Sequence, residues 1–278
     1  MTNVFTVDVE EWFHVCGVEA LSKPRWDRLP SRVRLTTRRL LDILDTAGVR
    51  ATFFVVGWVA ERHPELVQEI RAAGHELGSH GHDHQRVYEL TPDDFRADLV
   101  RSRDALQAAG GGPVTMFRAP EWSIGERSLW ALDVLAEEAF SIDASMAPLR
   151  LVGSPASPRG PHVRQTATTT MIEAPPLVCD RFGQVMPIGW GWGLRMSSPA
   201  RVRRTIDAAN CAGRPAVLMV HPWEIDPEPP RVTLPLRQHF GHYFRLEGFA
   251  GRLLAVLRGG GFGPLSTIAS GGLPRYPQ

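Results

Sequence analysis

The sequence predicts an α/β fold in which a mostly parallel sheet, rolled into a barrel, is surrounded by helices. Three observations carry this expectation. Short β-branched or aromatic runs recur along the chain, helix-period segments separate most of them, and no GxGxxG or Walker-type phosphate loop follows the first run. The last observation removes the main support for a doubly wound nucleotide-binding sheet, so the barrel is preferred.

The runs read as strands are NVFTVDV at 3–9, RATFFVVG at 50–57, HELGSH at 75–80, TMFRAP at 115–120, FSIDAS at 140–145, TMIEAP at 170–175, AVLMVH at 216–221 and FGPLST at 262–267. Helical patterns occupy 31–48, 58–74, 91–110, 125–139, 198–213 and 244–260, several opening on Ser or Thr and closing on Gly, as caps require. A segment at about 146–197 is rich in Pro, Gly, Ser and Thr. It reads as long loops with one or two strands, of the kind that shape a binding groove.

At 278 residues and 43% hydrophobic, the chain can bury a large core, and one domain over 1–278 is the expectation. A formal charge of +1 gives no electrostatic case for a nucleic-acid partner. All but one of the 31 basic residues are arginine, Lys23 being the exception, a bias that runs the whole length and reads as genome composition. Cys16, Cys179 and Cys211 are odd in number and far apart, which argues against a disulfide framework or a CxxC metal knuckle. The opening MTNVFTVDVEEWF lacks the basic and apolar segments of a signal peptide, and no apolar stretch approaches the ~20 residues needed to span a bilayer.

In such barrels, chemistry sits at the C-terminal ends of the strands. The first run ends in TVDVEEW, where alternation puts Asp8 and Glu10 on one face, and Asp8 follows an apolar run on a strand expected to be central. Glu11 reads as a solvated surface acid. The third run ends in GSHGHDH, placing three of the ten histidines within five positions. His80 and His84, four apart after a strand, can present both rings to one point. With a carboxylate they would hold zinc or a similar metal. His82 points away from that pair and reads as a supporting or surface residue. FRAPEWS places Arg118 where a buried guanidinium could hold a carboxylate ionised, and VLMVHPWE places His221 where an imidazole could give a proton to a leaving group. Each alone is more often structural; their occurrence together at four strand ends, in order, is what carries weight.

Taken together, TVDVEEW, GHELGSHGHDH, FRAPEWS, SIDAS and LMVHPWE resemble the ordered motifs of the NodB-type polysaccharide deacetylases, carbohydrate esterase family four, over residues 4–224. The tail beyond HPWEIDPEPPR looks like the subgroup found with bacterial exopolysaccharide and exosortase loci. The resemblance implies a distorted (β/α) barrel of seven or eight mostly parallel strands and one divalent metal ion, commonly Zn2+, with Co2+, Ni2+ or Mn2+ as alternatives. By the same resemblance Asp8 matches the general base, His80 and His84 the metal histidines, Arg118 the residue that tethers the base and His221 the general acid. Asp143 matches the acid that orients this histidine, and His75 a structural position. The family's usual paired aspartates are broken here by Val9, so Glu10 is assigned as the third ligand by analogy with an Asp-x-Asp variant.

The implied reaction is removal of N-acetyl groups from an N-acetylated oligo- or polysaccharide, free or lipid-linked, releasing acetate and an amine. Backbone N–H groups near Trp122 are candidate oxyanion donors. Trp12, Trp122 and Trp223 lie within four residues of proposed reacting groups, and GWGWG adds Trp190 and Trp192, flat surfaces on which sugar rings stack. Trp58 and Trp130 are expected to pack in the core or at its rim. The glycines of GWGWG imply close backbone approach. Three other readings stay open: a same-fold amidohydrolase acting on a small amide or ureide, an iron-dependent oxygenase with a two-His-one-carboxylate site, and a non-catalytic glycan-binding module. Cytoplasmic residence, peripheral at the inner membrane face, is the expected location; the oligomeric state is undetermined.

Overall fold

The computed structural model describes residues 1–150, 152–181 and 183–276. In chain order the strands are β1 (Asn3–Val9), β2 (Thr52–Val55), β3 (Glu76–Ser79), β4 (Met116–Phe117), β5 (Ile142–Asp143), β6 (His162–Gln165), β7 (Thr170–Glu173), β8 (Val178–Arg181), β9 (Gln184–Pro187), β10 (Val217–Val220), β11 (Phe262–Gly263) and β12 (Arg275–Tyr276). The helices are α1 (Val33–Ala47), α2 (Gly57–Arg62), α3 (Pro64–Ala72), α4 (Pro92–Ala108), α5 (Trp130–Glu137), α6 (Gly191–Met196), α7 (Pro199–Cys211), α8 (Leu236–Tyr243) and α9 (Phe249–Leu257).

Every residue of β1 is buried, as a strand at the centre of a parallel sheet must be. It pairs with β2 on one side and β10 on the other, and the order β10-β1-β2-β3-β4-β5-β7 is parallel throughout. β6 pairs antiparallel with β7, and β12 extends the edge beyond β6. Between β7 and β10 the wall is completed by single peptide contacts. Leu177 N–H donates to Val217 O at 2.9 Å, and Gly189 receives Met219 N–H at 2.7 Å while donating to Leu177 O at 2.7 Å. This ladderless seam makes the barrel a distorted one, with seven parallel strands.

Several element boundaries differ from expectation for local reasons. The helix expected at 58–74 is two, because Pro64 lacks an N–H and disfavours helical backbone at His63. The patterns at 125–139 and 244–260 are helical only over α5 and α9, and α8 was not anticipated. Segment 146–197 holds four strands, β6 to β9, and the short α6 rather than one or two strands. Leu151 and Phe182, within it, lie outside the described residues.

Sequence and packing meet at Gly78 in β3. Its register partner Phe54 turns its ring into the barrel beneath the Arg118 guanidinium, 4.5 Å from the ring centre. A Cβ on Gly78 would lie 2.6 Å from that ring and 3.0 Å from Met116 O. Gly78→Ala should therefore overpack the barrel and destabilise the protein by about 1–3 kcal/mol in urea unfolding; an unchanged midpoint would show that the ring moves freely.

Candidate active site

Alternation along β1 turns Thr6 and Asp8 to the barrel interior, where Arg118, just past β4, reaches both. Its Nη1 donates to Asp8 Oδ1 at 2.8 Å and Thr6 Oγ1 at 2.7 Å, and its Nε donates to Ala144 O at 2.9 Å. The guanidinium is fully buried between the Phe54 and Trp122 rings. Removing one partner of such a pair typically costs about 3–5 kcal/mol, because the other charge is stranded.

The same residue positions the first imidazole. His80 Nδ1 lies 2.7 Å from Arg118 O, which as an acceptor fixes Nδ1 as the protonated nitrogen and leaves the Nε2 lone pair facing the site. Glu10 Oε2 is 3.7 Å from His80 Nε2 and 2.5 Å from His84 Nε2. These three side chains each offer a ligand atom within 4.8 Å of the others, and Asp8 Oδ2 stands 3.9 Å from His80 Nε2. Glu10 thus turns inward beside the histidines. Burial opposes its ionised form, but the charges of His84 and His221 outweigh that and hold its pKa well below the usual carboxylate range. Three non-glycine residues with positive φ border this cluster, His84, Glu121 and Trp122, and each such conformation stores roughly 1–3 kcal/mol of strain.

His82 lies behind the ligand loop. Its ring bridges Asp83 at 2.6 Å and Glu61 at 2.9 Å, and its N–H donates to Asp98 at 2.7 Å. His82, Asp83 and Asp98 cluster closely, but Lys23 and Arg101 pair with Asp83, while backbone N–H groups occupy both Asp98 oxygens. His75 is structural, accepting from Ala51 N–H at 3.1 Å. Glu11 is not a surface acid: it is buried and accepts the Arg32 N–H at the start of α1, while Arg32 forms a bidentate pair with Asp226.

His221 follows β10 and stands 3.6 Å from Glu10 through Nε2. Its side chain is 21% exposed, whereas Asp8, Glu10, His80 and His84 are each at most 7% exposed, so it forms the outer lip of the cluster. Its partner corrects the expectation. Nδ1 meets Glu224 Oε2 at 3.1 Å, not Asp143. Glu224 also accepts the His221 N–H at 3.0 Å and the Arg195 Nε–H at 2.8 Å. Burial lowers the basicity of His221, but Glu10, Glu224 and Asp8 outweigh it and push its pKa up to about 9.

Asp143 instead sits in register with Glu173 on β7, so their carboxyls share a face. Asp143 also accepts from Ser145, and Glu173 accepts the Met146 N–H at 3.0 Å. Burial, and then Asp143, raise the Glu173 pKa well above its ordinary value, so this carboxyl holds its proton to higher pH than a free glutamate.

The tryptophans divide. Trp12 is 1% exposed and donates to Pro30 O at 2.9 Å, so it belongs to the core and cannot meet a sugar. Trp223 is also buried; its Nε1–H donates to Glu10 Oε1 at 3.1 Å and its ring stacks between His221 and His242. Trp122 packs on Arg118 and 5.8 Å from the partly exposed Trp190, with Trp192 partly exposed nearby in sequence. The Trp122 and Ser123 N–H groups are bonded to Ala119 O and Pro120 O, which removes them as oxyanion donors. Trp58 and Trp130 pack as expected, against Phe13 and Phe95. The glycines of GWGWG do bring backbone close: a Cβ on Gly191 would lie 1.7 Å from Glu224 Oε2.

Sequence reasoning missed Glu224, Arg195 and His242. For Glu224 a signal existed, since Pro222 and Glu224 after His221 form a helix-start pattern with an acid at the third position. None existed for Arg195 or His242.

With this geometry in view, residues 25–136 match the polysaccharide deacetylase family and 144–270 match a domain of unknown function, DUF3473. Over the first of these segments the chain resembles the polysaccharide deacetylases. Of the clustered side chains, His80, His84 and Arg118 lie inside the first match; His221 and Glu224 lie inside the second, and Asp8 and Glu10 precede both. The chain is 32% identical over 98 residues to a peptidoglycan-N-acetylglucosamine deacetylase of Bacillus cereus, covering 35% of this chain and 36% of that one. It is 36% identical over 89 residues to a chitin deacetylase of Colletotrichum lindemuthianum, covering 30% and 36%. The chain thus spans about a third of the length of these curated relatives. Across its whole length the fold matches the crystal structure of a putative polysaccharide deacetylase from Mycobacterium smegmatis, with a TM-score of 0.64, 24% identity, and coverage of 98% and 92%.

The Glu173 proton can be tested directly. A carboxyl whose pKa is raised by folding loses stabilising effect as pH climbs from the unfolded value, about 4.3, toward the folded one. Glu173→Gln removes that loss, so its stability relative to the parent should rise as pH climbs above about 5 in urea titrations. A difference that stays constant as pH climbs refutes the raised Glu173 pKa.

Proposed function

We propose that this chain is a metal-dependent hydrolase that removes N-acetyl groups from an N-acetylhexosamine glycan. The observation that carries the reading is the convergence of two imidazoles and a carboxylate on one point, flanked by a tethered carboxylate, Asp8, and a partly exposed imidazole, His221. We read 1–278 as one catalytic domain, because β10 from the second matched segment lies directly beside β1.

The donor set suits a first-row divalent ion, and zinc is the one we infer, with cobalt, nickel and manganese as alternatives. His80 fits this role because its Nδ1–H is committed to Arg118 O and its Nε2 is free to ligate. A divalent ion held there would supply Lewis acidity toward water and the amide carbonyl. The residues do the rest. Asp8, held in place by Arg118, takes a proton from the attacking water as its oxygen bonds to the carbonyl carbon. His221 delivers its Nε2 proton to the nitrogen as the carbon–nitrogen bond breaks, giving acetate and an amine that would otherwise be too basic to leave. Glu224, itself held by Arg195, fixes the imidazole so that Nε2 faces the reacting centre.

The substrate we infer is an N-acetylated oligo- or polysaccharide, free or lipid-linked, of the kind processed during exopolysaccharide synthesis. The partly exposed Trp190 and Trp192, with Trp122 beside them, support stacking of sugar rings at the mouth. No helix among the described residues is long and apolar enough to cross a membrane.

Elemental analysis with acetate release from an N-acetylglucosamine oligomer tests the reading. Wild type should hold about one divalent ion per chain, and His80→Ala and Glu10→Ala should lose it together with turnover. A fully folded, zinc-supplied wild type that binds no metal would falsify the reading and leave a glycan-binding module in its place. Asp8→Asn should keep the metal while losing about 10²–10⁴-fold in kcat. Glu224→Gln should lower kcat about 10²-fold with KM and metal content unchanged, and Glu224→Asp should restore part of it; a metal-depleted Glu224→Gln would assign Glu224 to ligand support instead.

A further inference from the structure

We propose that the outer face of α8 docks this protein onto an anionic lipid bilayer, beside the mouth of the site. The helix is fixed on its inner side. His242 stacks on Trp223 at 4.3 Å, Tyr243 donates to Pro230 O at 3.0 Å, and the buried Arg195 guanidinium donates to Gly241 O and Phe244 O at 2.5 Å. Its outer side carries Leu236, Phe240 and Phe244, four apart along the helix and its end, at 90%, 45% and 38% exposure. The two phenyl rings stack on one another at 4.4 Å. A helix whose bulkiest apolar residues face outward in one row has its amphipathic sense reversed relative to a core-packing helix.

The charge around this row selects the occupant. From Pro229 to Leu246 there is no Asp or Glu, while Arg231, Arg237 and Arg245 are exposed along the same stretch. Apolar side chains flanked by arginines, without acids, match an interface where acyl chains lie beneath phosphates. Arg195 joins the helix to the site, since the guanidinium that donates to carbonyls at the end of α8 also donates to Glu224. Docking by α8 therefore brings the rim at His221 to the surface where a lipid-linked glycan would be presented.

Vesicle co-sedimentation of the intact protein tests this without reference to turnover, so its outcome stands apart from that of the deacetylation reading. Wild type should bind phosphatidylcholine vesicles containing phosphatidylglycerol, weakly or not at all those of phosphatidylcholine alone, and binding should fall with added salt. Leu236→Ser with Phe240→Ser should weaken partitioning about tenfold or more, and Arg237→Glu should weaken it on anionic vesicles alone. Both variants should melt at the parent temperature and keep its acetate release from a soluble oligomer. Absence of wild-type binding to either vesicle overturns the proposal. So does a dimer in light scattering that Phe240→Ser dissolves while vesicle binding is unaffected, since the face would then belong to a second copy of the chain.

Discussion

The site depends on one buried cation. Arg118 reaches across the barrel to hold Asp8 and Thr6 of β1 with its guanidinium, and its own carbonyl holds the His80 ring. A charge at this depth is tolerable only because it is paired, bonded to a carbonyl and sandwiched between two aromatic faces. Gly78 contributes by leaving room for one of those faces. The consequence is that a carboxylate on one strand and an imidazole just past another are placed by one residue just past a third, so the barrel's register becomes the site's geometry.

A second set of contacts, from the other half of the chain, closes the cluster from outside. Glu224 orients His221 and is held by Arg195; Trp223 holds Glu10 and is covered by His242. Glu10 is therefore contacted from both halves, by histidines after β3 and by an indole after β10. The buried polar groups of this wall therefore hold one another across the two halves of the chain.

What the sequence disclosed followed how local each feature is. Strand ends carrying a polar residue after an apolar run, at TVDVEE, GSHGHDH, FRAP and VHPWE, were legible because alternation and burial are encoded within a few residues. The long capped helices α1, α4 and α7 were legible for the same reason. The partner of His221 was misassigned to Asp143, although the helix-start pattern of Pro222 and Glu224 carried a local signal for Glu224. Nothing local distinguishes Trp12, sealed in the core, from Trp190, and nothing local says that Glu11 caps α1. Strands β6, β8 and β9 escaped because hairpins of mixed polarity at the barrel's edge lack the apolar runs that mark central strands.

The position of β1 has a consequence for how the chain is made. Its first neighbour, β2, is synthesised within some fifty residues, but the strand that flanks it on the other side, β10, lies more than two hundred residues downstream, and β11 later still. Until β10 has emerged from the ribosome, β1 is an open edge of bare peptide groups along an apolar strand, the most adhesive surface a nascent protein can present. The barrel is thus a clasp fastened last at its oldest link, and chains interrupted before β10 should meet chaperones and proteases rather than persist as stable halves.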